Sequence, residues 1–226
     1  MRVFMYLYRR DESQYALAAI VCCMAPAAHA QTSATVALTS EYSVRGVSLS
    51  DGRPAPQFGL AWDGAQGWYA GAYAAPRLTL GERSNVTSLA AYGGYAWRAR
   101  SGLAWEAGAS STAFAGASEY NYREVYAGVM TDRLAARVYF SPSYYGYGGR
   151  SAYAELNGFY PVRDKVKLIG HAGVLHGRGT RHRVDLRLAV GVDVGDINVQ
   201  LAWLHHTNIG ALRSPRAVAL SASYSF

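Results

Sequence analysis

His205 and His206, followed by Thr207 and Asn208, are the residues whose types and spacing come nearest to a catalytic group. A histidine can act as a general base for a serine or cysteine nucleophile, provided that a carboxylate orients its ring. Here Thr207 stands where serine is needed, and no Asp or Glu follows Asp196. The sequence therefore predicts polar loop residues in this segment and no enzyme.

The other histidines lack the spacing of metal ligands. His171, His176 and His182 are spread along the chain, whereas zinc ligands come in closely spaced pairs of His or Cys. Both cysteines, Cys22 and Cys23, lie in an N-terminal segment that we expect to be removed. No phosphate-binding or dinucleotide motif occurs either. We predict no metal and no other cofactor.

A further set of charged and polar residues alternates with apolar ones, which places them on one face of extended strands. These are Glu106, Arg137, Glu155, Lys167, His171, Arg183, Asp185, Arg187 and Gln200. Inside a barrel they could pair across an interior filled with side chains or line a narrow polar pore. We favour the pore. Because the Arg and Lys residues of the set outnumber its Asp and Glu residues, we expect a weak preference for anions.

The elements that would position these residues are strands. In residues 183–192, Val184, Leu186 and Leu188 alternate with Asp185 and Arg187, a period that no helix produces. Residues 216–226 repeat the pattern and finish on Tyr224 and Phe226. In an open sheet this apolar strand would leave an exposed edge, which closure into a barrel removes. A terminal strand of this kind resembles the signal that the barrel-assembly machinery recognises in outer-membrane proteins.

Twelve segments of this kind follow one another. They cover residues 35–44, 57–62, 68–75, 89–97, 103–109, 120–130, 134–140, 154–160, 166–174, 183–192, 197–203 and 216–226. For segment 120–130 two assignments of the faces are possible. Either Tyr122, Glu124 and Tyr126 face outward, or the residues that alternate with them do.

Connection lengths alternate along the chain. The connections after even-numbered segments are short, at 63–67, 98–102, 131–133, 161–165 and 195–196. Those after odd-numbered segments are generally longer, at 45–54, 76–85, 116–118, 144–150, 177–180 and 205–215. Transmembrane barrels combine short periplasmic turns with longer extracellular loops. The sequence thus predicts an all-β fold, a transmembrane antiparallel up-and-down barrel of about 12 strands with both termini in the periplasm.

Composition agrees with a barrel in a membrane. Half of the residues are hydrophobic, yet no apolar run after residue 30 is long enough for a membrane-spanning helix. The 18 tyrosines and 24 glycines match a barrel with aromatic girdles at both interfaces. The net charge of +7 is scattered, so that we expect no nucleic acid as a partner. The predicted barrel implies outer-membrane lipid as a partner, and a polar pore would pass small solutes.

Residues 1–30 have the features of a secretory signal. Arg2, Arg9 and Arg10 precede an apolar run at 15–24, and Ala28 and Ala30 flank His29 with small side chains. We predict cleavage after Ala30, which leaves residues 31–226 as one barrel domain in the bacterial outer membrane.

Particular stretches are similar to a known family. They are Ser40–Ser50 (SEYSVRGVSLS), Pro56–Gly59, Gly67–Gly71, Tyr92–Tyr95 (YGGY) and Tyr153–Asn157 followed by Tyr160-Pro161. Together they resemble the TorF porin family, a Gcw_chp type of proteobacterial outer-membrane protein, with Tyr42, Arg45, Gly46 and Ser48 in its most specific motif. Two placements of Arg45 remain open: it folds with the first loop into the mouth of the barrel, or it is an exposed loop arginine. The resemblance implies an outer-membrane barrel that passes small solutes, without naming the solute.

Two alternatives to a channel remain open. One is a structural barrel that does not conduct. The other is an enzyme acting on lipid A, because His205-His206-Thr207-Asn208 faintly resembles the His-x-Ser-Asn element of outer-membrane lipid A deacylases.

Overall fold

The computed structural model describes residues 31–145, 149–177, 182–208 and 216–226. Fourteen strands and one short 3-10 helix, at Ser118–Tyr120, form in these residues. The strands are β1 (Gln31–Thr39), β2 (Ser43–Val44), β3 (Val47–Ser48), β4 (Ala55–Asp63), β5 (Trp68–Leu80), β6 (Arg83–Arg98), β7 (Ala104–Ala115), β8 (Tyr122–Met130), β9 (Leu134–Ser141), β10 (Ser151–Arg163), β11 (Val166–Gly177), β12 (Arg183–Val194), β13 (Ile197–Asn208) and β14 (Arg216–Ser225). No helix in these parts of the chain is long and apolar enough to cross a membrane.

Twelve of these strands close into one antiparallel barrel. Each pairs with its neighbours in sequence, except that β4 follows β1 and that β1 closes the ring against β14. At the closure Val36 lies opposite Tyr224, and the Ala34 amide donates to the carbonyl of Phe226 at 2.8 Å. The predicted barrel of about 12 strands is confirmed. Short β2 and β3 pair only with each other, within the connection from β1 to β4.

Alternation assigns the two faces of the wall. On β12, Leu188 is 60% exposed whereas Arg187 is 2% exposed, so the apolar residues face outward and the charged residues face the interior. On β8 the open choice is resolved: Val125 faces outward, and Tyr122, Glu124 and Tyr126 are buried inside. Glu124 lies inside because it shares the strand period with two tyrosines.

The prediction of a loop at residues 76–85 is wrong. β5 continues to Leu80 and β6 begins at Arg83, so this connection is a tight turn at Gly81 and Glu82. Pro76 and Arg77 suggested a loop, but they lie at a register shift between Ala75 and Leu78, where a bulge tolerates proline. The long hairpin carries buried Leu78, Leu80 and Val86 against the β1–β4 connection.

The prediction about tyrosine is only partly right. Exposed Trp62, Trp68, Trp97, Trp105 and Tyr224 gather at the end of the barrel with the shorter turns, as an interfacial girdle would. Nine tyrosines of the described part of the chain, however, are buried. They are Tyr42, Tyr69, Tyr73, Tyr122, Tyr126, Tyr139, Tyr144, Tyr145 and Tyr153. A phenol suits either position, since its ring is apolar and its hydroxyl can bond inside the wall.

Candidate functional site in the barrel interior

The inserted loop, which we define as residues 40–54, folds into the barrel. Its side chains Tyr42, Arg45 and Leu49 are all nearly inaccessible to solvent. The base of the loop is tied together, because the Tyr42 amide donates to Ser50 Oγ at 2.8 Å and the Leu49 amide to the Tyr42 carbonyl at 2.7 Å. The Thr79 amide of the long β5–β6 hairpin donates to the Leu49 carbonyl at 2.7 Å. The loop is thus a compact unit that is hydrogen-bonded to the β5–β6 hairpin.

Arg45, at the tip of the inserted loop, is bound by wall residues of three strands. Its Nη1 and Nη2 donate to Oε1 and Oε2 of Glu124 at 2.6 and 2.8 Å, a bidentate pair. The guanidinium carbon lies 4.8 Å from the ring centre of Tyr139, 5.3 Å from that of Tyr144 and 4.3 Å from that of Tyr153. We call Glu124 and these three tyrosines the Arg45 cage.

Charges in the inserted loop follow from its burial. Burial by itself lowers the pKa of Arg45, but the negative charge of Glu124 and its hydrogen bonds more than offset this, and the pKa stands well above its usual value. Burial raises the pKa of Tyr42 to about 12, although a hydrogen bond with Tyr73 works against the rise. Arg45 is therefore charged and Tyr42 neutral at physiological pH.

Backbone conformation at the loop tip is demanding. Arg45 has φ 47° and Gly46 has φ 72°, a left-handed pair that glycine accommodates best. A Cβ atom added at Gly46 would lie 2.7 Å from the Cβ of His206 and 3.0 Å from Cδ of Arg183. Arg183 Nη1 also donates to the Arg45 carbonyl at 3.4 Å. The tip is wedged between β12–β13 on one side and the cage on the other.

A first group of predicted interior residues surrounds Arg137. Its Nε bonds Glu106, and its Nη1 lies 4.0 Å from Oε1 of Glu155. Tyr69 donates to Glu106 Oε2 at 2.9 Å, and Tyr139 donates to Glu155 Oε1 at 3.1 Å. All of these polar groups are buried.

A second group links His171 to Asp185. His171 Nε2 lies 2.7 Å from Asp185 Oδ2, and Nδ1 lies 2.7 Å from Asn157 Oδ1. Tyr153, which also belongs to the Arg45 cage, donates to Asp185 Oδ2 at 3.1 Å. The cage and this group therefore form one network.

A third group lies on β11–β13 toward the end with shorter turns. Arg187 Nη2 donates to Gln200 Oε1 at 2.5 Å, and Gln200 Nε2 donates to Asn198 Oδ1 at 2.8 Å. Asn198 in turn donates to Asp193 Oδ1 at 2.6 Å, and Lys167 Nζ lies 3.8 Å from Asp193 Oδ2. Hydrogen bonds thus run along the wall from mid-barrel to its end.

The family model of bacterial proteins of unknown function called Gcw_chp matches residues 24–208, which is most of the sequence. The chain belongs to the Gcw_chp family. The resemblance predicted from the sequence is confirmed at this level. No curated protein matches the sequence.

Solved outer-membrane barrels share the fold of this Gcw_chp chain. The KdgM porin superposes with a TM-score of 0.55 at 13% identity, over 86% of this chain and 99% of the porin. The KdgM porin in complex with disordered oligogalacturonate gives 0.54 at 13% identity, with the same coverage of both chains. The COG4313 outer membrane channel from Pseudomonas putida F1 gives 0.49 at 12% identity, over 90% and 96% of the two chains. At such identities the two KdgM superpositions, whose TM-scores exceed 0.5, show a shared barrel fold and nothing further.

Sequence reasoning missed several interior residues of this Gcw_chp barrel. Glu124, Asp63 and Asp193 are buried acids, and Tyr139 and Tyr153 belong to the cage. The signal for Glu124 was present in its strand period, but tyrosines on the same face hid it. The added acids remove the basis for the expected anion preference. Among the described strand residues, the wall presents six buried acids, whereas its bases are buried Arg137 and Arg187 and half-buried Lys167 and Arg183.

The histidine pair is divided by the wall. His205 stacks on Trp203 with parallel rings 5.5 Å apart, whereas His206 packs beside the tip of the inserted loop. Adjacent strand residues point to opposite faces, so His205 and His206 do not form one site. The ring centres of His176 and His182 lie 4.2 Å apart, and the rings are stacked. No group of three potential metal ligands occurs in the described part of the chain.

The remaining predicted residues lie outside this interior. Tyr224 and Phe226 are exposed on the outer surface with ring centres 5.8 Å apart. Ser48 is exposed, and its Oγ accepts from the Asp51 amide at 3.1 Å within the inserted loop. The predicted signal segment, residues 1–30, lies outside the described residues, as do parts of the loops at 144–150, 177–180 and 205–215.

Proposed function

We propose that this Gcw_chp protein is exported by cleavage after Ala30, inserts into the bacterial outer membrane and passes small solutes through its polar interior. Lipid covers the outer apolar face, and the assembly machinery recognises the strand that carries Tyr224 and Phe226. The protein is a channel and not an enzyme. The nine interior residues from Glu106 to Gln200 named from the sequence line the passage.

One observation carries this proposal: the inserted loop fills the barrel interior near the end with the longer connections. Side chains that fill a small structural barrel come from the wall itself and cannot leave it. The inserted loop is part of the connection between β1 and β4, and its tip is held by the Arg45–Glu124 pair, the rings of the cage and the hydrogen bond from Arg183. None of these contacts belongs to the hydrogen-bonded ladder of the barrel, so the loop can withdraw while the strand pairing of the wall stays intact. We take the loop as a plug and this structure as the closed state. The KdgM porin, a barrel of the same fold solved with oligogalacturonate, supports solute passage as a use of this fold.

A non-conducting structural barrel is the second candidate. It is favoured by the wall residues below the inserted loop. There Arg137 hydrogen-bonds Glu106, and separately Arg187, Gln200 and Asn198 hydrogen-bond one another. In that case removal of the loop would leave the lumen blocked by wall side chains.

Conductance in planar bilayers separates the two candidates. The refolded protein is compared with a variant in which a short Gly-Ser linker replaces residues 43–48. The channel proposal expects infrequent openings in the parent and sustained current in the shortened variant. Absence of current from both proteins would contradict the channel and support the structural barrel.

A further inference from the structure

The Arg45 cage has the composition of a cation-binding site. Three aromatic rings surround the guanidinium within 5.3 Å, and a carboxylate receives two of its hydrogen bonds. Aromatic cages with a nearby carboxylate bind guanidinium and quaternary ammonium groups, because ring faces and the carboxylate both attract positive charge. What fills this cage is an arginine from the chain itself.

The cage and its occupant belong to different structural units. Glu124, Tyr139 and Tyr153 stand on β8, β9 and β10, which are fixed by the hydrogen bonds of the closed barrel. Arg45 stands on the inserted loop, whose own hydrogen bonds hold its base together. If the loop withdraws, Arg45 leaves with it and the strand residues remain in place. The site then lacks its positive charge.

The surroundings of the cage keep this vacancy attractive to a cation. Glu155 is hydrogen-bonded to Tyr139, and Asp185 to Tyr153, so each of these two wall rings is backed by an acid. Among the described strand residues the wall presents six buried acids against four bases, which are buried Arg137 and Arg187 and half-buried Lys167 and Arg183. Arg183 bonds the carbonyl of Arg45 and so approaches the loop backbone at the tip.

We propose that the Arg45 cage is a binding site for organic cations with a guanidinium or quaternary ammonium group, which Arg45 occupies as an internal ligand in the closed state. This deepens the proposed function and rests on it, because solute must reach the lumen. A solute cation and Arg45 compete for the same rings and the same carboxylate. Binding of the solute stabilises the withdrawn loop and thereby opens the passage. Apparent affinity in the parent is reduced by the small fraction of molecules whose cage is free.

The probe is methylguanidinium, with N-methylurea as its neutral isostere. Binding to the refolded protein in detergent is measured by calorimetry, which requires no conductance. The Arg45→Ala variant, whose cage is empty, should bind methylguanidinium at least tenfold more tightly than N-methylurea. The Arg45→Ala/Glu124→Gln variant should lose that preference. Arg53→Ala removes an exposed arginine from the same loop and should bind neither probe more tightly than the parent does.

A second readout uses the parent in bilayers, so the proposal does not depend on folding of Arg45→Ala. Methylguanidinium should increase the open fraction, and N-methylurea at the same concentration should not. Equal binding of both probes by Arg45→Ala, or a preference that persists without Glu124, would overturn the cation site. Binding without current in any variant would instead reject the channel and leave the site standing.

Discussion

Arg45 of the inserted loop and Glu124 of β8 form a buried bidentate pair, with Nη–Oε distances of 2.6 and 2.8 Å. The two residues are 79 positions apart in sequence. Their pairing connects the tip of the β1–β4 connection to the opposite part of the wall. Together with the rings of the cage and the hydrogen bond from Arg183 to the Arg45 carbonyl, this pair holds the loop tip inside the barrel.

Removal of one partner from this pair should be costly. Glu124→Gln leaves the charge of Arg45 buried, and we expect a loss of about 3–5 kcal/mol in unfolding free energy. Urea unfolding of the micelle-bound protein, followed by tryptophan fluorescence, measures it. The matched control is Glu119→Gln, which breaks an exposed pair with Arg83 at 3.3 Å and should change little. Equal effects of the two substitutions would mean that the Arg45 pair is not buried in the membrane-embedded protein.

Gly46→Ala should loosen the plug. Its new methyl group would lie 2.7 Å from the Cβ of His206, so the loop tip must move away from β13. We expect a larger open fraction in bilayers. Gly102→Ala is the matched control, because Gly102 has a similar positive φ of 87° but no atom within 4 Å of the added methyl group. An increase from both substitutions would point to backbone strain in general rather than to the wedge at His206.

The lipid-facing side of the wall should reject charge. Leu188 is outward-facing and mid-strand on β12, and Leu188→Arg should reduce stability by about 2–4 kcal/mol. Leu188→Met, which keeps volume and apolar character, should cost less than that. The measurement is heat-modifiable mobility on gels together with urea unfolding. A tolerated arginine at position 188 would contradict the face assignment for β12.

Export predicts a defined mature end. Small residues at positions 28 and 30 follow the apolar run, so we expect the protein extracted from membranes to begin at Gln31. Intact-mass spectrometry decides this. A chain that retains Cys22 would reject the cleaved signal.

Much of the fold could be predicted because the wall of a barrel repeats one simple rule. Alternation on segments such as 183–192 places residues inside or outside without further information. The rule weakens at Pro76 and Arg77, where a bulge let a strand continue through residues typical of loops. It also weakens for tyrosine, whose side chain suits both faces, and this left Glu124 undecided.

The candidate site was only half accessible to such reasoning. Arg137, Glu155 and Arg187 are wall residues, so their strand period was enough to group them. The place of Arg45 depends on where a loop folds, and loop paths are set by tertiary contacts such as those of Gly46 and Leu49. Local sequence carries no period that reports them.

Reversible locking of the loop tests the plug most directly. The two cysteines of the sequence, Cys22 and Cys23, lie before the predicted cleavage site, so Gly46→Cys and His206→Cys would introduce a single pair into the mature protein. A Cβ added at position 46 would lie 2.7 Å from the Cβ of residue 206, about 1 Å closer than in a disulfide, so the bond forms once the tip shifts outward by about that distance. We predict that single-channel current is abolished when the bond forms, which a gel shift reports, and returns on reduction. Current that persists in the fully oxidised protein, or that stays absent after reduction, would contradict a channel plugged by the inserted loop.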